Sequence, residues 1–178
     1  MKTVYISLGT NVGEREGNLE RAIELLGERG VRVTRRSAIY ETEPVEVREQ
    51  AWFLNCVVEA ETELMPVQLM GALLEIEWEM GRRRRVPKGP RVIDMDILLF
   101  GTSVMRTREV EIPHPRMAER RFVLAPMAEI AAEVRHPVLK RTIGELLVGL
   151  EDKSDVRVWR GRGEGGKGTG ERDFKFEI

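Results

Sequence analysis

The sequence predicts an α+β fold with a mostly antiparallel sheet. The segments at 2–8, 32–42, 52–62 and 92–100 carry the β-branched and apolar residues that are typical of strands. Two segments between them have apolar residues at helical spacing instead. The chain has 178 residues, which is long enough for one domain with its own hydrophobic core.

The order of these elements predicts a particular architecture. In chain order they are a strand at 2–8, a helix capped by Asn18 and stopped by Gly30, strands at 32–42 and 52–62, a helix from Pro66 to Gly81, and a strand at 92–100. The order β-α-β-β-α-β is that of the ferredoxin-like core, with helices packed on the faces of the sheet. The connection at 43–51 is long for a hairpin, and long loops are often functional.

The remaining residues predict C-terminal additions to this core. A short helix is expected near 121–131, another at 142–150 and a final strand at 156–160. We expect residues 1–160 to form a single domain and residues 161–178 to form a glycine-rich flexible tail, whose last six residues alternate like an edge strand.

Composition restricts the classes of function. Hydrophobic residues make up 42% of the chain and charged residues 33%, which excludes a disordered protein. The net charge of −1 gives no field that would recruit nucleic acid or an anionic membrane, and no apolar run approaches the roughly 20 residues of a membrane span. Cys56 is the single cysteine, and the N-terminus has no signal-peptide pattern. We therefore expect a cytoplasmic protein.

The stretch GPRVIDMDILLFG, residues 89–101, places two carboxylates in an otherwise apolar strand. Asp94 and Asp96 point to the same face, with Cα atoms roughly 6–7 Å apart. A buried carboxylate is unfavourable unless something compensates its charge. Two magnesium ions would do so, because magnesium takes few protein carboxylates and fills its shell with water and phosphate oxygens. Pairing with buried arginines is the alternative.

Arginines precede this strand: Arg82, Arg83, Arg84 and Arg85 in the loop, and Arg91 at its start. Guanidinium groups bind phosphate oxygens bidentately and keep their charge at every relevant pH. Beside a carboxylate pair they indicate phosphoryl transfer, in which cations neutralise the migrating group. For the arginine run alone, a solvated surface or a nucleic-acid patch is the alternative.

Glu77 lies on the apolar stripe of the second predicted helix, with Met70, Leu73 and Leu74 at positions i, i+3, i+4 and i+7. An acidic residue in such a stripe indicates that it binds something. An ion pair with an arginine is the interpretation that the pattern alone favours.

Phe53 and Asn55 share one face of the strand at 52–62. An aromatic ring can stack on a flat heterocycle while an amide reads its donors and acceptors, although core packing is the alternative for Phe53. His114 lies between two prolines, in a rigid loop that can direct its imidazole at a phosphate.

Together these segments resemble the 6-hydroxymethyl-7,8-dihydropterin pyrophosphokinases of folate biosynthesis. The matching motifs, in order over residues 1–150, are LGTN, YETEPV, FLN, IEWEMGRRR, GPRVIDMDILLFG, IPHPRM and RRFVLAPMAEIAAE. The resemblance implies transfer of diphosphate from ATP to the pterin hydroxymethyl group, with release of AMP, two Mg²⁺ ions as cofactors and two small molecules as partners. We expect a monomer.

The resemblance also implies a role for particular residues. Arg82, Arg91, Asp94 and Asp96 would be catalytic, and the two aspartates would bind the metal ions. The pterin would be bound by Phe53 and Phe122 on its faces and by Asn55, Asp94 and the backbone of Thr42, Glu43 and Val45 at its edge. The nucleotide would be bound by Glu77 at the ribose, Ile97 near the adenine, and Arg82, Arg84, Arg91, His114 and Arg120 at the phosphates.

Two other classes of protein are weighed against this interpretation. A ferredoxin-like sheet with Phe53 on its face could bind single-stranded RNA, but carboxylates without metal would repel phosphates, and the RNA-recognition signature is absent. A metal-dependent nuclease explains Asp94 and Asp96 but leaves Phe53, Asn55 and Phe122 without a role.

Overall fold

The computed structural model of the protein describes residues 1–45, 49–81 and 90–161. Its strands are β1 (Lys2–Thr10), β2 (Val31–Arg36), β3 (Tyr40–Thr42), β4 (Phe53–Thr62), β5 (Asp94–Phe100), β6 (Met105–Arg106), β7 (Glu111–Ile112) and β8 (Val156–Val158). Its helices are α1 (Arg15–Glu28), α2 (Pro66–Glu79), α3 (Arg121–Ala131) and α4 (Ile143–Val148), and a 3₁₀ turn covers Met117–Glu119. The predicted tail and its terminal strand fall on residues 162–178, outside the described residues.

One antiparallel sheet organises the described chain. Its order is β5-β1-β4-β3-β8, and β2 pairs with the same edge of β4 as β3 does. With β2 and β3 counted as one interrupted strand, the chain runs β-α-β-β-α-β up to β5. The predicted α+β class and ferredoxin-like core are therefore confirmed, and α3, α4 and β8 are the C-terminal additions.

The strand predicted at 32–42 is interrupted between Arg36 and Tyr40. The contacts of Ser37 explain this interruption. Its hydroxyl accepts a hydrogen bond from the backbone N–H of Val57 (3.0 Å), and its own N–H donates to the Val57 carbonyl (2.9 Å). A side chain that replaces a ladder partner breaks the regular register, so β3 begins anew at Tyr40.

The predicted cap of the first helix is wrong. Helix α1 begins at Arg15, so Asn18 lies inside its first turn and does not precede it. The Asn18 amide donates to the backbone oxygen of Val12 (2.7 Å) and to the hydroxyl of Thr10 (3.1 Å). Asn18 therefore fixes the β1–α1 turn from within the helix, because its amide bonds the preceding loop instead of the helix's own N–H groups.

Two hydrophobic layers enclose the sheet. Helices α1 and α2 cover one face with a core that includes Leu19, Leu26, Leu69 and Leu73, and α3 and α4 cover the other with residues such as Leu124, Met127 and Ile143. On α2 the buried positions are Pro66, Leu69, Leu73, Ile76 and Glu77. The predicted stripe is wrong in one member, because Leu74 is 54% exposed.

The polar residues that the sequence singles out on β4 and β5 lie at one end of the sheet. There the C-terminal end of β1 pairs with the N-terminal ends of β4 and β5, so that Gly9 lies between Asn55 and Asp94. The N-terminus of α3 comes to the same end, since Phe122 lines one cavity with these residues. Among the described residues no helix is both long and apolar enough to cross a membrane.

Candidate active site

A cavity of about 270 Å³ opens at this polar end of the sheet. It lies where β1, β3, β4, β5 and the start of α3 meet, next to the loop after β3. Its lining includes Ser7, Leu8, Gly9, Thr42, Glu43, Pro44, Val45, Gln50, Phe53, Asn55, Arg91, Asp94, Asp96, His114, Arg120 and Phe122. Small-molecule sites are concave in this way, with apolar walls and a few convergent polar groups.

The two aspartates of β5 both face this cavity. Burial alternates along the strand, with Met95 and Ile97 buried and Asp94 and Asp96 partly exposed between them. Arg91 Nη1 lies 2.6 Å from Asp94 Oδ2, so one member of the pair is held by an arginine. Both interpretations of the carboxylate pair thus have support here, since Asp94 has an arginine partner and Asp96 lines a cavity.

Asp96 has a raised pKa, first because of burial and second because Asp94 is close to it. Burial, together with the charges of Asp94 and Glu77, raises the pKa of Asp96 to about 6, against the opposing charges of Arg120 and Arg91. Carboxylate oxygens are the ligands that magnesium prefers, and a cation between the two would relieve their repulsion. The donor set is therefore compatible with magnesium, although within the described ranges no group of three or more His, Cys, Asp or Glu side chains could hold a metal ion.

His114 lies beside Asp96, with 3.9 Å between His114 Nε2 and Asp96 Oδ2. Its Nδ1 accepts a hydrogen bond from the backbone N–H of Arg116 (3.1 Å), which leaves Nε2 as the protonated nitrogen of the neutral ring. Burial and the charge of Arg120 lower the pKa of His114 to about 4. The imidazole is therefore a neutral donor that faces the cavity at physiological pH.

The two predicted aromatic residues line the cavity from different elements. Phe53 begins β4, and Phe122 lies in the first turn of α3. An arginine lies over each ring: the Arg91 Cζ is 5.7 Å from the centroid of Phe53, and the Arg120 Cζ is 5.6 Å from that of Phe122. Arg91 therefore joins the ring of Phe53 to the carboxylate of Asp94.

Asn55 is fixed at the back of the cavity. It is 8% exposed, and its amide donates to the hydroxyl of Thr42 at 2.6 Å. A Cβ atom at Gly9 would lie 2.5 Å from Asn55 Oδ1, so the bare backbone of Gly9 is what admits this side chain. Glu43 and Val45 follow Thr42 around the same wall.

Glu77 lies outside the cavity lining but contacts the strand that bears the aspartates. It is 2% exposed, and its Oε1 accepts a hydrogen bond from the backbone N–H of Met95 at 2.8 Å. The carboxylate that looks misplaced on an apolar helix face thus compensates a backbone donor of β5.

The remaining predicted residues have different outcomes. Arg120 lines the cavity beside Phe122. Ile97 is 2% exposed and belongs to the core against α1 and α2, so its side chain lies on the face opposite to Asp94. Arg82 and Arg84 lie outside the described residues.

Asn11 is a residue that sequence reasoning did not single out. It is 5% exposed, accepts the backbone N–H of Arg91 (2.8 Å) through Oδ1, and donates through Nδ2 to Gln50 Oε1 (2.9 Å) and to the Ala51 carbonyl (3.0 Å). Asn11 therefore links the residues just before Phe53 to Arg91, which precedes β5. Asn11 ends the LGTN motif, but an amide that follows the end of β1 is explained equally well by a turn, so the sequence indicates no separate role for it.

Comparisons with known proteins indicate one family. The profile of the family described as "7,8-dihydro-6-hydroxymethylpterin-pyrophosphokinase (HPPK)" matches residues 5–132. A Bacillus subtilis protein named 2-amino-4-hydroxy-6-hydroxymethyldihydropteridine pyrophosphokinase is 46% identical over 157 residues, which cover 88% of this chain and 89% of that one. An Aquifex aeolicus protein of the same name is 39% identical over 145 residues, covering 82% and 90%.

Longer proteins match over a part of their length. The chain is 43% identical over 127 residues to a mitochondrial folate synthesis bifunctional protein of Pisum sativum, which is 71% of this chain and 25% of that protein. Among solved structures, wild-type Plasmodium falciparum HPPK-DHPS with pteroate superposes with a TM-score of 0.68 at 16% identity, over 83% of this chain and 42% of that one. At this identity the superposition supports the fold.

The fold is of the α+β class, and its cavity combines a carboxylate pair, arginines and aromatic walls, a set of groups compatible with phosphoryl transfer. The family match and the relatives of similar length then give the identity: the chain belongs to the family of 6-hydroxymethyl-7,8-dihydropterin pyrophosphokinases. Its activity is the transfer of diphosphate from ATP to the hydroxymethyl group of the dihydropterin, with release of AMP, in folate biosynthesis.

Proposed function

We propose that the cavity at the end of the sheet is the site of this diphosphate transfer. The observation that carries the proposal is that one cavity contains the aromatic and amide residues suited to a pterin and the carboxylates and arginines suited to a nucleotide. A cavity that joins two such sets allows both substrates to be held with their reacting atoms adjacent.

The pterin half is formed by β3, β4 and α3. Phe53 and Phe122 stack on the two faces of the ring, since flat heterocycles favour aromatic walls. The amide of Asn55 and the backbone of Thr42, Glu43 and Val45 read its edge. The hydrogen bond between Asn55 and Thr42 supports this role, because it holds the amide in one orientation before the pterin arrives.

The nucleotide half is formed by β5 and its flanking loops. Asp94 and Asp96 would hold two Mg²⁺ ions, and Asp94 would also lie near the pterin hydroxyl. Arg91, Arg120 and His114 contact the phosphates, together with Arg82 and Arg84 of the segment outside the described residues. Glu77 at the ribose and Ile97 near the adenine stay predictions, the second with its side chain buried on the other face of the sheet.

The mechanism follows from charge and position. When bound, the metal ions supply positive charge to the phosphate oxygens and the pterin oxygen. Arg91 and Arg120 add fixed charge that strengthens as charge builds on the migrating group. His114, neutral and with Nε2–H directed into the cavity, donates to a phosphate oxygen without exchanging a proton. Phe53 and Phe122 keep the pterin hydroxyl in line with the phosphorus that it attacks.

Two expectations about the whole protein remain proposals. We propose that residues 1–160 act as a single domain and that the protein is a cytoplasmic monomer. Sedimentation equilibrium at assay concentrations tests the second point, and a mass of twice the 20.4 kDa chain would contradict it.

The first experiment is isothermal titration of 6-hydroxymethyl-7,8-dihydropterin into the protein, with and without magnesium and a non-hydrolysable ATP analogue. We expect tight pterin binding that requires the magnesium nucleotide and that is lost in Asp96→Ala. Glu24→Ala, an exposed acidic residue of α1, is the matched control and keeps wild-type binding. Unchanged pterin binding in Asp96→Ala would remove the carboxylate from the proposed site.

A further inference from the structure

A short C-terminal segment contacts both walls of the proposed pterin site. It comprises residues 152–158, and we refer to it as the C-terminal brace. At one end Asp152 meets the N-terminus of α3, and at the other β8 adds to the sheet beside β3. None of its residues lines the cavity that holds the catalytic aspartates.

Asp152 caps a helix that has no cap of its own. The backbone N–H of Arg121, the first residue of α3, donates to Asp152 Oδ2 at 2.9 Å, whereas Arg120 at the cap position makes no side-chain cap bond. Asp152 Oδ1 accepts the backbone N–H of Ser154 at 2.8 Å, which fixes the carboxylate. The first turn of α3, with Phe122, is thus held by a residue about thirty positions away in sequence.

The charge state of Asp152 suits this contact. Burial alone would raise its pKa, but hydrogen bonds from the N–H of Arg121 and from Ser154 outweigh it and lower the pKa. The group is therefore ionised at neutral pH, where a negative charge is favourable at a helix N-terminus.

The other end of the brace holds the opposite wall. Thr42 pairs with Val156 in the sheet. The N–H of Glu43 donates to the Asp155 carbonyl (3.2 Å), and the N–H of Asp155 donates to Glu43 Oε1 (2.8 Å). The backbone proposed to read the pterin edge and the ring proposed to cover its face are thus attached to one segment.

We propose that Asp152 is a positioning residue for pterin binding, which acts by holding the first turn of α3 so that Phe122 covers the ring. The inference rests on the proposed pterin site. If the first turn frays, only the fraction of molecules with Phe122 in place binds the pterin, and the apparent dissociation constant rises by the inverse of that fraction.

The test measures the pterin dissociation constant in the full-length protein, with magnesium and a non-hydrolysable ATP analogue present. We expect Asp152→Ala to raise this constant several-fold, with roughly fivefold, the whole scale of a lost helix cap, as the upper limit. Asp152→Asn keeps an oxygen that accepts the Arg121 N–H, so we expect it to stay within about twofold of the wild type.

Thr142→Ala is the matched control. Thr142 caps α4 by accepting the N–H of Glu145 (3.2 Å), and α4 contributes no residue to the cavity. Its loss removes a cap of similar strength, so the stability of the fold falls while pterin affinity is unchanged. A loss of affinity of the same size in Thr142→Ala would mean that general destabilisation is the cause, and the inference would be wrong.

A double-mutant cycle separates this inference from the proposed site. If Asp152 acts through Phe122, then Asp152→Ala has less than about a twofold effect in a Phe122→Ala background. Undiminished effects in that background, or wild-type affinity in Asp152→Ala, would overturn the inference. If Phe122→Ala itself bound pterin normally, the proposed pterin site would be wrong and the inference would fall with it.

Discussion

Glu77 of α2 accepts a hydrogen bond from the backbone N–H of Met95, the residue between the two aspartates of β5, with 2.8 Å between Oε1 and the nitrogen. The contact joins a buried carboxylate to a strand whose neighbouring side chains face the cavity. Among the described strands β5 lies at the edge of the sheet, so a helix side chain takes the place of a strand neighbour at this position. Glu77 therefore attaches the outer side of β5 to α2 at the residue between Asp94 and Asp96.

Two replacements of Glu77 should distinguish the stabilising effect of its acceptor oxygen from that of its charge. In Glu77→Ala the Met95 N–H is buried without this acceptor, so we expect the free energy of unfolding to fall by about 1–3 kcal/mol. Glu77→Gln keeps an acceptor oxygen and should lose less than half as much. Urea unfolding of both variants measures the difference. Equal losses would mean that the charge of Glu77, and not its hydrogen bond, stabilises the protein.

Gly9 should be intolerant of a side chain. An added Cβ would lie 2.5 Å from Asn55 Oδ1, and the hydrogen bond from Asn55 to Thr42 hinders movement of the Asn55 side chain away from it. We expect Gly9→Ala to displace the amide and to raise the pterin dissociation constant roughly tenfold, the scale of a lost hydrogen bond at a buried group.

Gly27→Ala is the control for this prediction. Its Cβ would meet nothing within 4 Å, and the residue lies in α1, away from the cavity. We expect its pterin affinity to match the wild type. Normal pterin affinity in Gly9→Ala would mean that Asn55 is not the residue that reads the ring.

Arg91 should matter more for turnover than for pterin binding. Its guanidinium contacts Asp94 at 2.6 Å and lies over Phe53, but its proposed role is to neutralise the migrating phosphate. We expect Arg91→Ala to lower kcat by at least about a hundredfold. Loss of the ring contact alone should raise the pterin dissociation constant only roughly two- to fivefold.

Steady-state kinetics and pterin titration together check this difference. Arg32→Ala is the control, since Arg32 lies on β2 near the other end of the sheet and pairs with Glu61. It should leave both quantities unchanged. A loss of pterin affinity in Arg91→Ala as large as the loss of kcat would place Arg91 in the pterin site instead.

Periodicity predicted the fold because this fold obeys it. Strands β1, β4 and β5 are rich enough in apolar residues to be predicted from the sequence, and the i, i+2 spacing placed Asp94 and Asp96 on one face without any tertiary information. The strand break after Arg36 was not predicted, because it depends on a hydrogen bond between Ser37 and the backbone of β4, twenty residues away in sequence. The exposure of Leu74 was not predicted, because helical spacing gives the width of the buried face of α2 only approximately.

The site was predicted only in part for a similar reason. Residues that contact substrate have distinctive chemistry, and a resemblance transfers them position by position. Asn11 and Asp152 contact other parts of the protein instead, through backbone groups of Arg91 and Arg121 that look the same in any sequence. Such contacts between distant segments have no local signal, so they are visible only in the folded chain.

His136 should make stability depend on pH. It is buried, and its Nδ1 accepts the backbone N–H groups of Val138 (3.2 Å) and Leu139 (3.1 Å), a role that requires the unprotonated nitrogen. Burial lowers the pKa of His136 below its ordinary value, so the unfolded chain binds a proton at a higher pH than the folded one. As the pH falls below about 6.5, the unfolded state is favoured and the free energy of unfolding decreases, by up to about 1.4 kcal/mol per pH unit.

His136→Asn isolates this contribution from the other groups that titrate in the same range, His114 among them. The oxygen of asparagine can accept the same N–H groups and does not bind a proton in this range. Urea unfolding of both proteins between pH 5 and pH 8 gives two curves. We expect them to be parallel above about pH 7 and the wild-type curve to fall faster below it, since only the wild type gains a further proton at position 136 on unfolding there. Parallel curves over the whole range would mean that His136 has the same proton affinity in the folded and unfolded states, against its burial and its two hydrogen bonds.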